Sequence, residues 1–216
     1  MQEIVLHLTQ TFGFAAGQYL EILLPGGARL PLSIASAPHR LPELHLHYRS
    51  TPGVAEAALL DELLETSATL DLAGPHGDVR LKPPLDGPIL IAAGGTGASQ
   101  ALGLIDALLA CPPDHEVSFL WCADRQADVY RRVWLESLNA DWLSTTLIVD
   151  PRRDRENQGL AWLRAQSTSF LDRQIFLCGG PDFVYAAADE LEAAGVPRGR
   201  MAADAFSYAP RPERSG

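Results

Sequence analysis

The chain has 216 residues, 47% of them hydrophobic, and a formal net charge of −10. That is enough apolar material for a sizeable core in one large domain or two small ones. The acidic balance and the lack of a basic stripe exclude a nucleic-acid binder, which needs Lys and Arg clustered against phosphate.

No apolar run approaches the roughly 20 residues that span a bilayer, and no basic-then-apolar leader opens the chain, so a cytoplasmic protein without a membrane partner is expected. Cys111, Cys122 and Cys178 are too scattered for a disulfide framework or a metal-ligand set, so free thiols and no metal are expected.

From Glu3 to about Leu81 short apolar-rich segments alternate with Gly and Pro turns. Strands are expected at Ile4–Leu8, Tyr19–Leu24, Leu30–Ala35, Glu43–Tyr48 and Thr69–Leu72, with one helix at about Val54–Leu64 after Gly53. This pattern predicts a small antiparallel β-barrel. Pro31 marks its strand as an edge or a bulge, and Gly74-Pro75-His76-Gly77 reads as a turn.

Pro83-Pro84 can continue neither a ladder nor a helix, and beyond it the period changes to alternating strand and helix. The predicted domains are therefore 1–84 and 85–216. Strands are expected at Ile89–Ala93, Val117–Trp121, Thr146–Val149, Ile175–Leu177 and Arg200–Asp204. Helices are expected at Ser99–Ala110, Asp128–Asn139 and Asp182–Ala194, giving a doubly wound parallel α/β unit. The polar tail Pro210–Gly216 is expected to be disordered.

Ligands of open parallel sheets bind outside the carboxyl ends of the strands. Those ends carry Gly94-Gly95-Thr96-Gly97, Cys122-Ala123-Asp124-Arg125, Asp150-Pro151-Arg152-Arg153 and Cys178-Gly179-Gly180-Pro181. Together they outline a dinucleotide-sized crevice. The glycine turn matches neither G-x-G-x-x-G nor a Walker loop, so it is either a phosphate cradle at a helix N-terminus or an ordinary strand-to-helix turn. Cys178 is either a small buried packing residue or a sulfur facing the crevice. Ser33 either bonds nearby backbone or donates to a ring nitrogen of a planar ligand on the strand edge.

Taken in chain order, Ala16-Gly17-Gln18-Tyr19, Pro31-Leu32-Ser33-Ile34-Ala35-Ser36, Gly74-Pro75-His76-Gly77, Gly94-Gly95-Thr96-Gly97, Arg125 to Tyr130, Cys178-Gly179-Gly180-Pro181 and Asp204-Ala205-Phe206 resemble the ferredoxin–NADP reductase superfamily, most closely its NAD(P)H:flavin oxidoreductase branch. The resemblance implies a flavin-binding barrel followed by a nicotinamide-nucleotide domain. Hydride would pass from NADH or NADPH to FMN, riboflavin or FAD, with a monooxygenase, a ferric complex or oxygen as the final acceptor.

By position, the resemblance places Ser33 on flavin N5 and Leu32, Ile34, Ala35 and Ser36 along the isoalloxazine, and His45, His47 and Tyr48 on the strand that meets the ribityl chain or ring. It places Gly94, Gly95, Thr96 and Gly97 on the nicotinamide nucleotide's phosphates and Arg125 on its adenosine side. Cys178 falls beside the nicotinamide, on the turn with Gly179, Gly180 and Pro181. Phe206 or Tyr208 becomes the aromatic near the flavin face.

The chain departs from the family in three places. Leu30 stands where an arginine is usual, and Arg29 points to the opposite face of a regular strand. Glu56 follows Gly53 where FAD-retaining members have a serine for the pyrophosphate. The first residues resemble the family's second strand, so the barrel is expected to lack its first. Weak flavin binding follows from the first two. A tightly FAD-bound electron-transfer reductase and a non-catalytic reductase-fold subunit are the alternative readings. Asp150 suits a free ribose 2′-OH, although Arg152, Arg153 and Arg155 are close enough in sequence to meet a 2′-phosphate. NADH is expected as donor with NADPH tolerated.

Overall fold

The computed structural model describes residues 1–82, 85, 87–152 and 156–211. The Pro83-Pro84 breakpoint, Arg153, Arg155 and the last five residues of the expected tail lie outside the described residues.

The first half is antiparallel and barrel-like. Strand β1 (Gln2–His7) pairs with β4 (Glu43–Tyr48), and β2 (Tyr19–Leu23) lies between β3 (Arg29–Ser33) and β5 (Asp71–His76). A single bridge from Ile34 to Leu46 joins the two sheets. Strand alternation builds the core: Leu20, Ile22, Leu44 and Leu46 are fully buried, while Glu21, Arg29 and His45 face outward or toward a polar seam. Helix α1 (Ala55–Thr66) covers this core with Ala57 and Leu60.

The second half is a five-stranded parallel sheet in the order β10 (Met201–Ala202), β9 (Gln174–Cys178), β6 (Ile89–Gly94), β7 (Val117–Ala123), β8 (Leu143–Val149). Helices cover both faces, which is why β6 reads as an unbroken apolar run. Its alternate residues enter different cores. Ile89, Ile91 and Ala93 pack under α2 (Ala98–Ala110), together with Leu135 of α3 (Arg132–Ser137). Leu90 and Ala92 pack under α4 (Gln158–Gln166) and α5 (Pro181–Ala193). Ala16, Val79 and Leu81 belong to the α2 core, so the two halves share apolar surface.

Several elements differ from the sequence expectation. Strand β5 runs through Gly74-Pro75, which had read as a turn; β5 is an edge strand, where a proline without an N–H is tolerated, and the turn begins at Gly77 with φ +96°. The helix expected at Asp128–Asn139 is confined to α3, because a separate turn at Gln126–Asp128 and non-helical backbone at Val129 interrupt it, and Val129 and Tyr130 pack inward. The strand expected at Arg200–Asp204 is confined to β10, and α6 (Ala205–Tyr208) follows it. Helix α4 was not expected. Its markers are local: Asn157 accepts from the Gly159 and Leu160 amides as an N-cap, and Leu160 and Leu163 face the core.

Candidate functional site

The glycine turn divides its labour. A Cβ on Gly94 would overlap the Phe183 ring, and one on Gly97 would overlap the Cys178 carbonyl. Gly97 thus lets the turn after β6 touch the end of β9, and Gly94 makes room for α5. Gly95 instead has φ +55° and open space beside it, and its carbonyl accepts from the Trp121 indole N–H at 3.3 Å. Across from it, Gly179 has φ +146°, Gly180 also faces open space, and Pro181 starts α5. A cleft of about 280 Å³ lies between these turns. It is lined by Gly94, Gly95, Thr96, Gly180 and Pro181, by Asp124, Asp150 and Arg152, and by Arg49 from the barrel half.

Asp150 is fully engaged. It accepts from the Arg152 guanidinium at 2.8–3.1 Å and from the Gln158 amide at 2.8 Å, and Arg152 holds its carboxyl well below the usual range. Cys122 lines the same cleft as an inert thiol, pushed up to about 12 by burial and then by Asp150. Arg125, expected at the adenosine, is largely exposed, bonds Asp128 at 3.1 and 3.2 Å, and does not line the cleft.

Cys178 corrects its expectation of facing the crevice. Strand alternation puts its side chain with Phe176 under α2, where it is fully buried, and burial raises its thiol pKa well above the usual range. Its backbone shapes the turn, and a thiol so placed is held in its neutral form.

On the barrel side, Ser33 ends β3 opposite Tyr19, is half-buried, and its hydroxyl makes no hydrogen bond among the described residues. Its carbonyl accepts from Ser99 Oγ, in the first turn of α2, at 3.2 Å. The backbone groups expected to pair with a planar ring are otherwise committed: the Ile34 amide donates to Gln18 O (3.0 Å) and the Ala35 amide to His45 O (2.9 Å). Ser36 Oγ accepts from the His45 amide at 3.0 Å, and Leu32 and Ile34 pack on the barrel core. Leu30 faces that core too, whereas Arg29 lies on the outer face and bonds Glu21 at 2.8 Å.

Tyr48 is a second correction. His47 and Tyr48 are neighbours on one strand and so face opposite sides. Tyr48 is buried in the barrel and donates to Ala57 O at 3.0 Å. His47 instead sits in the seam between the halves, with Nδ1 2.8 Å from the Tyr130 hydroxyl, facing Glu3, His45 and Arg131. Tyr130 in turn meets Trp121 edge-on. Burial, with help from Arg131 and against Glu3, holds the His47 pKa at about 4.

The unfolded chain binds this proton near 6.5, so between about 6.5 and 4 the unfolded state holds more protons and stability falls as pH drops. The contribution approaches ~1.4 kcal/mol per pH unit. His47→Gln is expected to shrink the difference in urea midpoint between neutral and mildly acidic buffer; an unchanged difference would assign the acid sensitivity elsewhere.

Phe206 is a third correction. It packs between Tyr185 of α5 and the Arg198 guanidinium, 3.3 Å over its ring, and not on the barrel. Tyr208 is the exposed aromatic. Its hydroxyl pKa is raised by burial and by Asp204.

Sequence reasoning quoted Asp204 without giving it a task. Its carboxylate accepts from the Asp78 and Val79 amides at 3.1 and 3.4 Å and from Gln100 Nε2 at 2.7 Å, and burial pushes its pKa up. It thus joins the loop after β5, helix α2 and the C-terminal segment beside Tyr19, whose own pKa is raised by burial and then by Asp204.

No family model matches the chain. It is 26% identical over 216 residues to an NAD(P)H-flavin reductase of Aliivibrio fischeri, covering 95% of this chain and 92% of that protein. An aromatic O-demethylase reductase subunit of Amycolatopsis sp. is 35% identical over 134 residues, 60% of this chain and 40% of the relative. A terephthalate 1,2-dioxygenase reductase component of Comamonas sp. is 26% identical over 91% of this chain and 60% of its own length. The chain thus spans less than two thirds of the length of these last two relatives. Among solved structures, an Amycolatopsis cytochrome P450 reductase superposes with a TM-score of 0.81 and 26% identity over 94% of this chain and 64% of that one. Ordered motifs, a barrel-like half joined to a five-stranded parallel sheet and near full-length similarity converge: the chain belongs to the ferredoxin–NADP reductase-like superfamily, whose members are flavin- and NAD(P)H-using oxidoreductases.

Proposed function

We propose that the chain is an NAD(P)H-dependent flavin reductase that binds flavin weakly and releases it reduced. The observation that carries this reading is the bond from Ser99 to the Ser33 carbonyl, which ties the flavin strand to the helix that begins at the nucleotide turn. When bound, the flavin accepts hydride from the nicotinamide. The protein's part is to hold two flat rings with reacting atoms about 3 to 3.5 Å apart and to exclude water.

In this reading Ser33 donates toward the flavin N5 region. Gly95, Thr96 and Gly180 present the nucleotide's phosphates with backbone that has room beside it. Cys178 and Gly179 only shape that turn, and Tyr208 replaces Phe206 as the aromatic near the flavin. Weak flavin retention is supported at α1: its N-cap, Val54, offers no side-chain bond, and Glu56 in the first turn opposes a pyrophosphate. NADH is the proposed donor, because Asp150 already compensates the Arg152 charge that a 2′-phosphate would seek.

A second reading, a tightly FAD-bound reductase that passes electrons to a protein partner, is favoured by the names of the oxygenase reductase relatives. NADH oxidation by the purified chain, with and without added FMN, riboflavin or FAD, tests both. Turnover only with added flavin, and a higher kcat/KM for NADH than for NADPH, is the expected result. Turnover with retained FAD alone would establish the second reading, and no turnover would leave a non-catalytic subunit.

A further inference from the structure

We infer that Arg49 is a diphosphate clamp, extended by the barrel half across the nucleotide cleft, with Asp128 as its resting counter-ion. The inference rests on the nicotinamide-nucleotide reading above. Arg49 immediately follows β4, yet it lines the cleft formed by Gly95, Thr96 and Gly180 of the other half.

The charge balance of the cleft requires such a group. Its lining holds the acids Asp124, Asp150 and Asp182 against the cations Arg49 and Arg152, and Arg152 lies bidentate on Asp150. A dinucleotide's diphosphate adds two more negative charges. The glycine turn can offer N–H groups, but no cation of its own.

Arg49 is also held so that it can be recruited. Its Nη1 lies 3.7 Å from Asp128 Oδ1, beyond hydrogen-bonding distance, while Asp128 is already bonded twice by Arg125. Arg49 can therefore turn to a phosphate without stranding a carboxylate. Its base is firm, because His47, two residues earlier, is bonded to Tyr130 of the α/β half. A nucleotide gripped from both sides would draw the flavin strand and the glycine turn together.

The test is titration calorimetry of the full chain with NADH, with ADP-ribose, which carries the diphosphate without the nicotinamide, and with adenosine, which carries neither. Arg49→Gln is expected to weaken NADH and ADP-ribose roughly ten- to hundredfold, as a lost charge-assisted contact does, and to leave adenosine unchanged. Arg49→Lys should fall between, since it keeps the charge without the fork. Asp128→Asn should tighten ADP-ribose by removing the competitor. Undiminished ADP-ribose binding by R49Q, or an equal loss for adenosine, overturns the clamp while the nucleotide reading stands. Failure of the unmodified chain to bind NADH or ADP-ribose overturns both.

Discussion

Gly97→Ala is expected to lower the stability of the protein by at least about 3 kcal/mol, because the new methyl has nowhere to go. Its Cβ would overlap the carbonyl of Cys178 and crowd the Gly179 amide, and both are backbone atoms of a neighbouring strand end that cannot rotate aside. Relief requires β6 and β9 to part at the place where the two glycine turns form the cleft. For a chain of this size the midpoint of thermal unfolding should fall by about 6 to 12 °C.

Gly180→Ala is the internal control. Gly180 has φ −67° and open space around its Cβ, so the melting temperature should hold while nucleotide binding weakens. Equal melting losses for the two variants would show that the turns are not packed as described.

Asp106→Ala is expected to cost about 2 to 3 kcal/mol. Asp106 is a buried carboxylate on α2 that accepts from Arg40 at 2.6 Å through each oxygen and from the Ala37 amide at 2.8 Å, so one side chain holds the loop after β3. Its removal orphans a buried amide. Arg40 is partly exposed and can recover solvent, which keeps the cost below that of breaking a fully buried pair.

Burial alone would raise this carboxyl's pKa, but the bonds from Arg40 and the Ala37 amide win and lower it below 3.8. The stabilisation is therefore complete above about pH 4 and fades as pH falls through the folded-state value. Denaturation midpoints of the original chain and of Asp106→Ala should converge in strong acid and separate above it; parallel curves would contradict the assignment.

The seam between the halves is polar as well as apolar. Asp106 with Arg40, Asp204 with the Asp78 and Val79 amides, and His47 with Tyr130 all cross it. Gly103 of α2 adds a close approach, since a Cβ there would overlap the Ile34 carbonyl. The end of β3 and the residue after it are thus held by α2, and the helix that starts at the Gly94–Gly97 turn also sets the position of Ser33.

Much of this was legible in the sequence because it is local. Period-two alternation marked β2 and β4, unbroken apolar runs marked β6 and β9, and the glycines marked where strands turn into helices. The order of short motifs was enough to place the chain in its superfamily. Tertiary packing decided the rest. Which glycine faces a ligand and which only makes room depends on atoms far along the chain: Gly97 meets Cys178, whereas Gly95 meets open space.

Where the side chains of Cys178, Tyr48 and Phe206 go depended on tertiary direction: Cys178 and Tyr48 point into packed interiors, and Phe206 packs half-buried against Tyr185 and Arg198. The tasks of Arg49 and Asp204 were not legible for the complementary reason. Arg49 reaches a cleft built by the other half, and Asp204 returns from the end of the chain to the barrel loop. Sequence records what each segment prefers, and only folding sets which segments oppose one another.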